Sequence, residues 1–227
     1  MITRHSLVEV DQVPSTQDEA RDRYEGIPLL VWAREQTSGR GRSGSEWAEA
    51  PRALATSLAF EPEWPAPAWG PLPLVAGLAA CDAVGPEIAL KWPNDLILGL
   101  RKVGGILVEA SDRVVVAGLG LNLWWPEPPV GIAGVLTVDP GETLGKEIAE
   151  RWASSLLDRL RRPASDWGRD EYRQVSVTIG RDVAWDPDGA GRAVDVDVDG
   201  GLIVESGPSR ITLRSGEVRN LRPGQMR

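Results

Sequence analysis

Apolar and polar positions along this chain fall mostly into short, strand-length runs, separated by two longer stretches with helical spacing. Residues 7–10 read as a short strand, and 29–33, 54–60, 88–92, 105–109 and 114–123 as further strands. A helix is expected from Ser15, an N-cap candidate, with Asp18 and Glu19 in the first turn where the helix dipole favours them. Leu74, Val75, Leu78, Ala79 and Ala83 keep helical spacing until Gly85-Pro86, and residues 142–162 carry Leu144, Ile148, Trp152, Leu156 and Leu160 on one side. Residues 62–73 form a proline-rich connection, while Asn94-Asp95 and Gly99 supply turn chemistry between two strands. After Tyr172 short alternating strands dominate, clearest at residues 194–199 before Gly200-Gly201, with Asp188-Gly189 and Ser215-Gly216 as turns. The pattern predicts an α+β protein: a mixed-sheet domain over residues 1–172, then a small β-barrel over 175–227.

Composition narrows the function classes. The 227 residues carry a net charge of −8, which argues against a general polyanion binder. Any local cluster of arginines is informative against that background. The single cysteine, Cys81, lies in an apolar run and reads as a core position. There is no signal segment and no apolar stretch of about eighteen residues, so a cytoplasmic protein outside the membrane is expected.

Four segments carry candidate chemistry. In Gly39-Arg40-Gly41-Arg42-Ser43-Gly44 the glycines leave backbone N–H groups open to an anion, and the guanidinium forks suit carboxylate or phosphate. A solvated surface loop is the alternative. The run also fits a dinucleotide-binding glycine pattern, but Pro51 stops the helix that pattern requires. In Lys91-Trp92-Pro93-Asn94-Asp95 a strand-end lysine can project into a site and stabilise developing negative charge, or merely reach water. The glycine pairs in Lys102-Val103-Gly104-Gly105-Ile106-Leu107-Val108-Glu109 and Gly118-Leu119-Gly120-Leu121-Asn122 permit close approach of something flat, or mark bulges.

In this order, together with Ser15-Thr16-Gln17, Glu35-Gln36-Thr37-Ser38 and Trp47, these segments closely resemble the biotin protein ligase family. The resemblance spans residues 10–122 by motif. It implies a class II synthetase-like catalytic sheet of the biotin/lipoate ligase type and a C-terminal SH3-like barrel. It implies that Ser15, Thr16 and Gln36 read the biotin ureido head, with Gln17 standing where asparagine is common and Gly105 and Ile106 lining the pocket. Arg40, Gly41 and Arg42 would fold over the biotin carboxylate and ATP phosphates, with Lys91 beside the reacting groups. Trp47, Asn94 and Asn122 would serve the nucleotide. Biotin and Mg·ATP would give biotinyl-adenylate, and the lysine of a biotin carboxyl carrier domain of a carboxylase would then take the biotin. The metal ligands themselves are not assigned.

Two departures stand out. Ser43, Ser45 and Glu46 replace basic residues common in the family's loop, which bears on adenylate retention. Only fourteen residues precede Ser15, too few for a helix-turn-helix, so a monofunctional ligase that does not bind DNA is expected. Lipoate ligase is a rival reading, although the only histidine, His5, lies outside any glycine-rich motif. A non-catalytic biotin- or nucleotide-binding module is the other. Residues 114–118 are read as an exposed edge strand that could pair with a partner, a homodimer included.

Overall fold

The computed structural model describes residues 5–42, 47, 50–214, 216 and 218–221. The substitutions at Ser43, Ser45 and Glu46 lie outside the described residues.

A seven-stranded mixed sheet forms the first part. Its strands are β1 (Ser6–Val13), β2 (Leu29–Gln36), β3 (Arg52–Phe60), β4 (Ile88–Lys91), β5 (Asp95–Leu98), β6 (Arg101–Ser111) and β7 (Val114–Trp124), in the order β1-β2-β3-β7-β6-β5-β4. Only the β1–β2 pair is parallel. The connection between those two strands is α1 (Thr16–Asp22). Helices α2 (Leu72–Val84) and α3 (Thr143–Arg159) pack together, and the buried Trp152 indole donates to the Ala76 carbonyl at 3.0 Å. Their apolar faces share one core with Leu54, Leu58, Leu119 and Leu121 of the sheet. Burial on this scale, at about 25 cal/mol per Å² of apolar surface, is the main force holding the layers together.

Short helix α4 (Arg169–Val175) leads to β8 (Asp182–Trp185), β9 (Gly189–Val196), β10 (Leu202–Ser206), β11 (Ser209–Leu213) and β12 (Val218–Asn220). These form an antiparallel sheet in the order β11-β10-β9-β8-β12, barrel-like but not closed. Val183, Ala193, Val196, Leu202 and Val204 join the same core as the larger sheet. Arg173 and Arg169 on α4 grip Asp195 of β9, each at 2.8 Å.

Three expectations are corrected. Asn94-Asp95 and Gly99 are read as turn chemistry directly linking two strands, but Asp95 opens a further strand, β5, whose four residues between the two turns are too few to declare a pattern. Strand β7 is not an edge. Residues 114–118 lie between β3 and β6, and the open sides belong to β1 and, apart from a Leu90–Ser176 bridge, β4. The alternation at residues 194–199 does not stay in one strand either. β9 stops at Val196, because Asp197 Oδ1 accepts from the Gly201 and Asp199 backbone N–H groups at 2.8 and 3.0 Å, and Gly200 takes φ +80°.

Candidate active site

The register of the large sheet lays out a cavity floor. Lys91 pairs with Asp95, Asp95 with Gly105, Gly105 with Gly120 and Gly120 with Ala55, so five strands give one residue each to one row. A second row runs Leu107, Gly118, Ser57. All eight residues line a cavity of about 440 Å³. Helix α1, residues 39–42 and Trp47 stand over these rows, and Gly105, Gly118 and Gly120 lie beneath them. A Cβ on Gly120 would lie 3.0 Å from the Trp47 ring, and one on Gly105 3.6 Å from it. The flat group resting on the glycine floor is therefore the protein's own indole.

At one end are charges. Lys91 Nζ lies 3.3 Å from Asp95 Oδ2 and Lys102 Nζ 2.5 Å from Asp95 Oδ1. Lys102 also stands 5.8 Å from the centre of the Trp47 ring, within cation–π range. Lys102 is the more accessible of the two, its side chain 38% exposed against 20% for Lys91. The turn between β4 and β5 is held rigidly. The buried Trp92 takes Thr178 Oγ1 on its backbone N–H at 2.9 Å and gives its indole N–H to the Gly200 carbonyl at 3.0 Å. Asn94 donates to the Ile106 carbonyl at 2.7 Å and accepts from the Ile106 N–H at 2.9 Å.

The two loop arginines diverge. Arg42 donates to Gly216 O at 3.3 Å and weakly to Asn94 Oδ1 at 3.5 Å, over the charged end. Arg40 makes a bidentate pair with Asp18 of α1 at 2.7 and 2.8 Å, with Glu109 3.8 Å away. The Arg40 hydrogen bonds hold the Asp18 carboxyl below its usual range.

At the other end the groups are neutral. Thr16 donates from its backbone N–H and its hydroxyl to Gln36 Oε1, at 2.8 and 3.0 Å, and Thr16 Oγ1 lies 2.8 Å from Ser57 Oγ. Ser15, Thr16, Gln17 and Ser57 are all buried. Ser15 makes no side-chain cap bond to α1.

Of the residues singled out from sequence, Ser15, Thr16, Gln17, Gln36, Arg40, Gly41, Arg42, Trp47, Lys91, Asn94, Gly105 and Ile106 all line this cavity. Asn122 does not. It is buried on β7, donating to the Ala133 carbonyl at 3.3 Å and accepting from the Val135 N–H at 2.9 Å, and so pins the loop that follows β7. Asp95 and Lys102, which stand in two of the candidate segments without a role of their own, and Ser57, which stands in none, also line the cavity. Lys102 is hidden because strand alternation from Gly105 would turn it to the opposite face. Leu96 pairs with Gly104 but Ile97 with Lys102, so Val103 is an extra residue and the parity shifts. Cys81 is a structural position: burial pushes its thiol up to about 12.

Among the described residues no group of three or more histidine, cysteine, aspartate or glutamate side chains is placed to hold a metal ion. Asp95 alone of the lining residues is a carboxylate, and two ammoniums occupy it.

Residues 8–122 match the Biotin/lipoate A/B protein ligase family. The chain is 35% identical over 217 residues to a biotin–[acetyl-CoA-carboxylase] ligase of Mycobacterium tuberculosis, covering 87% of this chain and 80% of that one. It is 38% identical over 142 residues to the enzyme of that name from Paracoccus denitrificans, covering 57% of each. Its fold resembles a biotin protein ligase from Aquifex aeolicus in complex with biotin and ATP, with a TM-score of 0.79 at 23% identity, over 95% of this chain and 99% of that one.

Proposed function

The chain belongs to the Biotin/lipoate A/B protein ligase family, and from that premise we propose how its cavity works. The protein is an ATP-dependent ligase that activates biotin as biotinyl-adenylate and passes it to a lysine of a biotin carboxyl carrier domain. The observation that supports this reading best is the division of one cavity into a neutral, oxygen-rich end and an end with two ammoniums under an arginine loop.

Biotin lies with its ureido ring against Ser15, Thr16, Gln17 and Gln36 and its valeryl chain along the row of Gly105 and Ile106. That direction brings its carboxylate to Lys91 and Lys102. The carboxylate attacks the α-phosphate, pyrophosphate leaves, and a mixed anhydride forms. The physical obstacle is repulsion between two anions, about 4 kcal/mol for unit charges at about 4 Å and an effective dielectric of about 20. Lys91 and Lys102 offset it from the floor and Arg42 from above. Asp95 keeps the two ammoniums together before substrate arrives. Arg40 exchanges its Asp18 partner for a substrate oxygen as the loop closes, and Trp47 gives the nucleotide its apolar wall, with Asn94 at the turn beneath. Closure also shields the anhydride from water. The acceptor amine then attacks the acyl carbon and AMP leaves.

ATP–pyrophosphate exchange tests the first step: it should depend on biotin and ignore lipoate. Transfer of labelled biotin to an isolated carrier domain tests the second. Exchange driven by lipoate, or exchange without transfer to any carrier domain, would contradict the reading. No helix among the described residues is long and apolar enough to cross a membrane.

A further inference from the structure

We infer that Thr178, which does not line the cavity, is a positioning residue for adenylation: its hydroxyl holds the peptide that joins Lys91 to Trp92. This role rests on the ligase reading above and concerns how the charged end of that site is kept in place.

The segment that follows α4 runs beside the outer strand β4. Leu90 and Ser176 form a parallel bridge, and the Val177 N–H donates to the Leu90 carbonyl at 2.9 Å. One further step of a parallel ladder would send the Trp92 N–H to the Val177 carbonyl. That carbonyl accepts from Asn220 Nδ2 at 3.2 Å, and the Trp92 N–H goes instead to Thr178 Oγ1 at 2.9 Å. The hydroxyl takes over where the backbone ladder ends. Ser176 Oγ accepts from the Thr178 and Ile179 N–H groups at 3.2 and 3.3 Å, which keeps Thr178 in a local turn. Trp92 and Thr178 are both buried, so water cannot readily stand in for either partner.

What matters is which peptide is held. The Trp92 N–H lies in the peptide plane that starts at Lys91 Cα, so fixing it fixes the last backbone torsion of Lys91. Lys91 ends β4, and its Nζ lies 3.3 Å from Asp95 Oδ2 across the turn. The rest of that turn has its own ties, the Trp92 indole to the Gly200 carbonyl and Asn94 to Ile106. Thr178 supplies the tie on the Lys91 side. The neutral end of the cavity, with Thr16, Gln36 and Ser57, stands on α1, β2 and β3 and shares none of these contacts. Loss of the Thr178 tie should therefore act on rate more than on capture of biotin. Rate is also the more sensitive quantity, since a misplacement of about 1 Å among reacting groups can cost about 100-fold.

The test compares the full-length protein with Thr178→Val and Thr178→Ser. It measures kcat for biotin-dependent ATP–pyrophosphate exchange, Kd for biotin by calorimetry, and the melting temperature. Valine keeps the shape and removes the acceptor. Its kcat should fall about tenfold, the scale of one unmet buried hydrogen bond, with a smaller change in Kd. Serine restores the acceptor and should return kcat to near wild type, although the lost methyl lowers the melting temperature. A merely structural role would instead let both variants melt earlier and turn over normally. Wild-type kcat in Thr178→Val, a Kd loss as large as the kcat loss, or Thr178→Ser as slow as Thr178→Val would overturn the inference. Should Thr178→Val not fold, Thr178→Cys offers a weaker acceptor of similar size and should turn over several-fold slower than Thr178→Ser; equal rates would overturn it. A wild-type protein without biotin-dependent exchange would overturn the ligase reading itself, and this role with it.

Discussion

Replacing Lys91 or Lys102 by alanine removes one of the two ammoniums that face the reacting anions, and the structure sets the scale of the loss. An ammonium about 4 Å from a singly charged oxygen, at an effective dielectric of about 20, contributes about 4 kcal/mol. Asp95, at 3.3 Å from Lys91 and 2.5 Å from Lys102, cancels part of that field. If it cancels about half, roughly 2 kcal/mol remains per ammonium, or about 30-fold in rate; with no cancellation the loss is about 1000-fold. Each single variant should therefore lose between about 30- and 1000-fold in adenylate formation, and the double variant nearly all of it. Biotin-dependent pyrophosphate exchange measures the rate, calorimetric titration with biotin measures binding, and circular dichroism confirms folding. A normal exchange rate in Lys91→Ala would refute the role given to that lysine. A loss wholly accounted for by weaker biotin binding would refute stabilisation of the transition state.

Other perturbations should act elsewhere. Arg42→Gly removes a charge-assisted contact of about 1.5–3 kcal/mol, so bound adenylate should escape at least tenfold faster in a chase experiment; an unchanged lifetime would remove Arg42 from the clamp. In Gly104→Ala the new Cβ would lie 2.6 Å from the Gly120 carbonyl oxygen, a backbone clash that should cost about 1–3 kcal/mol and several degrees of melting temperature. An unaltered melting curve would contradict that packing. The Arg173 hydrogen bonds hold Asp195 down to about 2 from an ordinary 3.8. A depressed carboxyl stabilises the fold above its unfolded value and loses that contribution as pH falls through its folded value. The stability gap between wild type and Asp195→Asn should therefore be full above pH 4 and close toward pH 2; a gap that does not narrow would show the ion pair to be energetically idle.

Much of this arrangement is legible in the sequence, and the gaps have physical causes. The apolar runs at 29–33, 54–60 and 114–123 announce β2, β3 and β7 because these strands are buried on both faces. The arginine loop and the lysine-bearing turn are visible because several residues of one chemical kind are close together in the chain. Ser57 is not visible: it is one serine in an apolar strand, and only pairing with Gly118 and proximity to Thr16 give it a role. Lys102 hides behind the extra residue at Val103, since alternation is blind to a bulge. Strand order is equally hidden. Residues 114–118 look like an edge in one dimension, yet β7 becomes central once β3, far earlier in the chain, pairs along its other side.

A crystal structure with a non-hydrolysable biotinyl-adenylate analogue bears most directly on charge neutralisation as the basis of catalysis. Lys91 Nζ, Lys102 Nζ and the Arg42 guanidinium should all lie within hydrogen-bond reach of the acyl–phosphate linkage, with Arg40 parted from Asp18. The same three cations turned to solvent, with the linkage held only by neutral groups, would contradict the account.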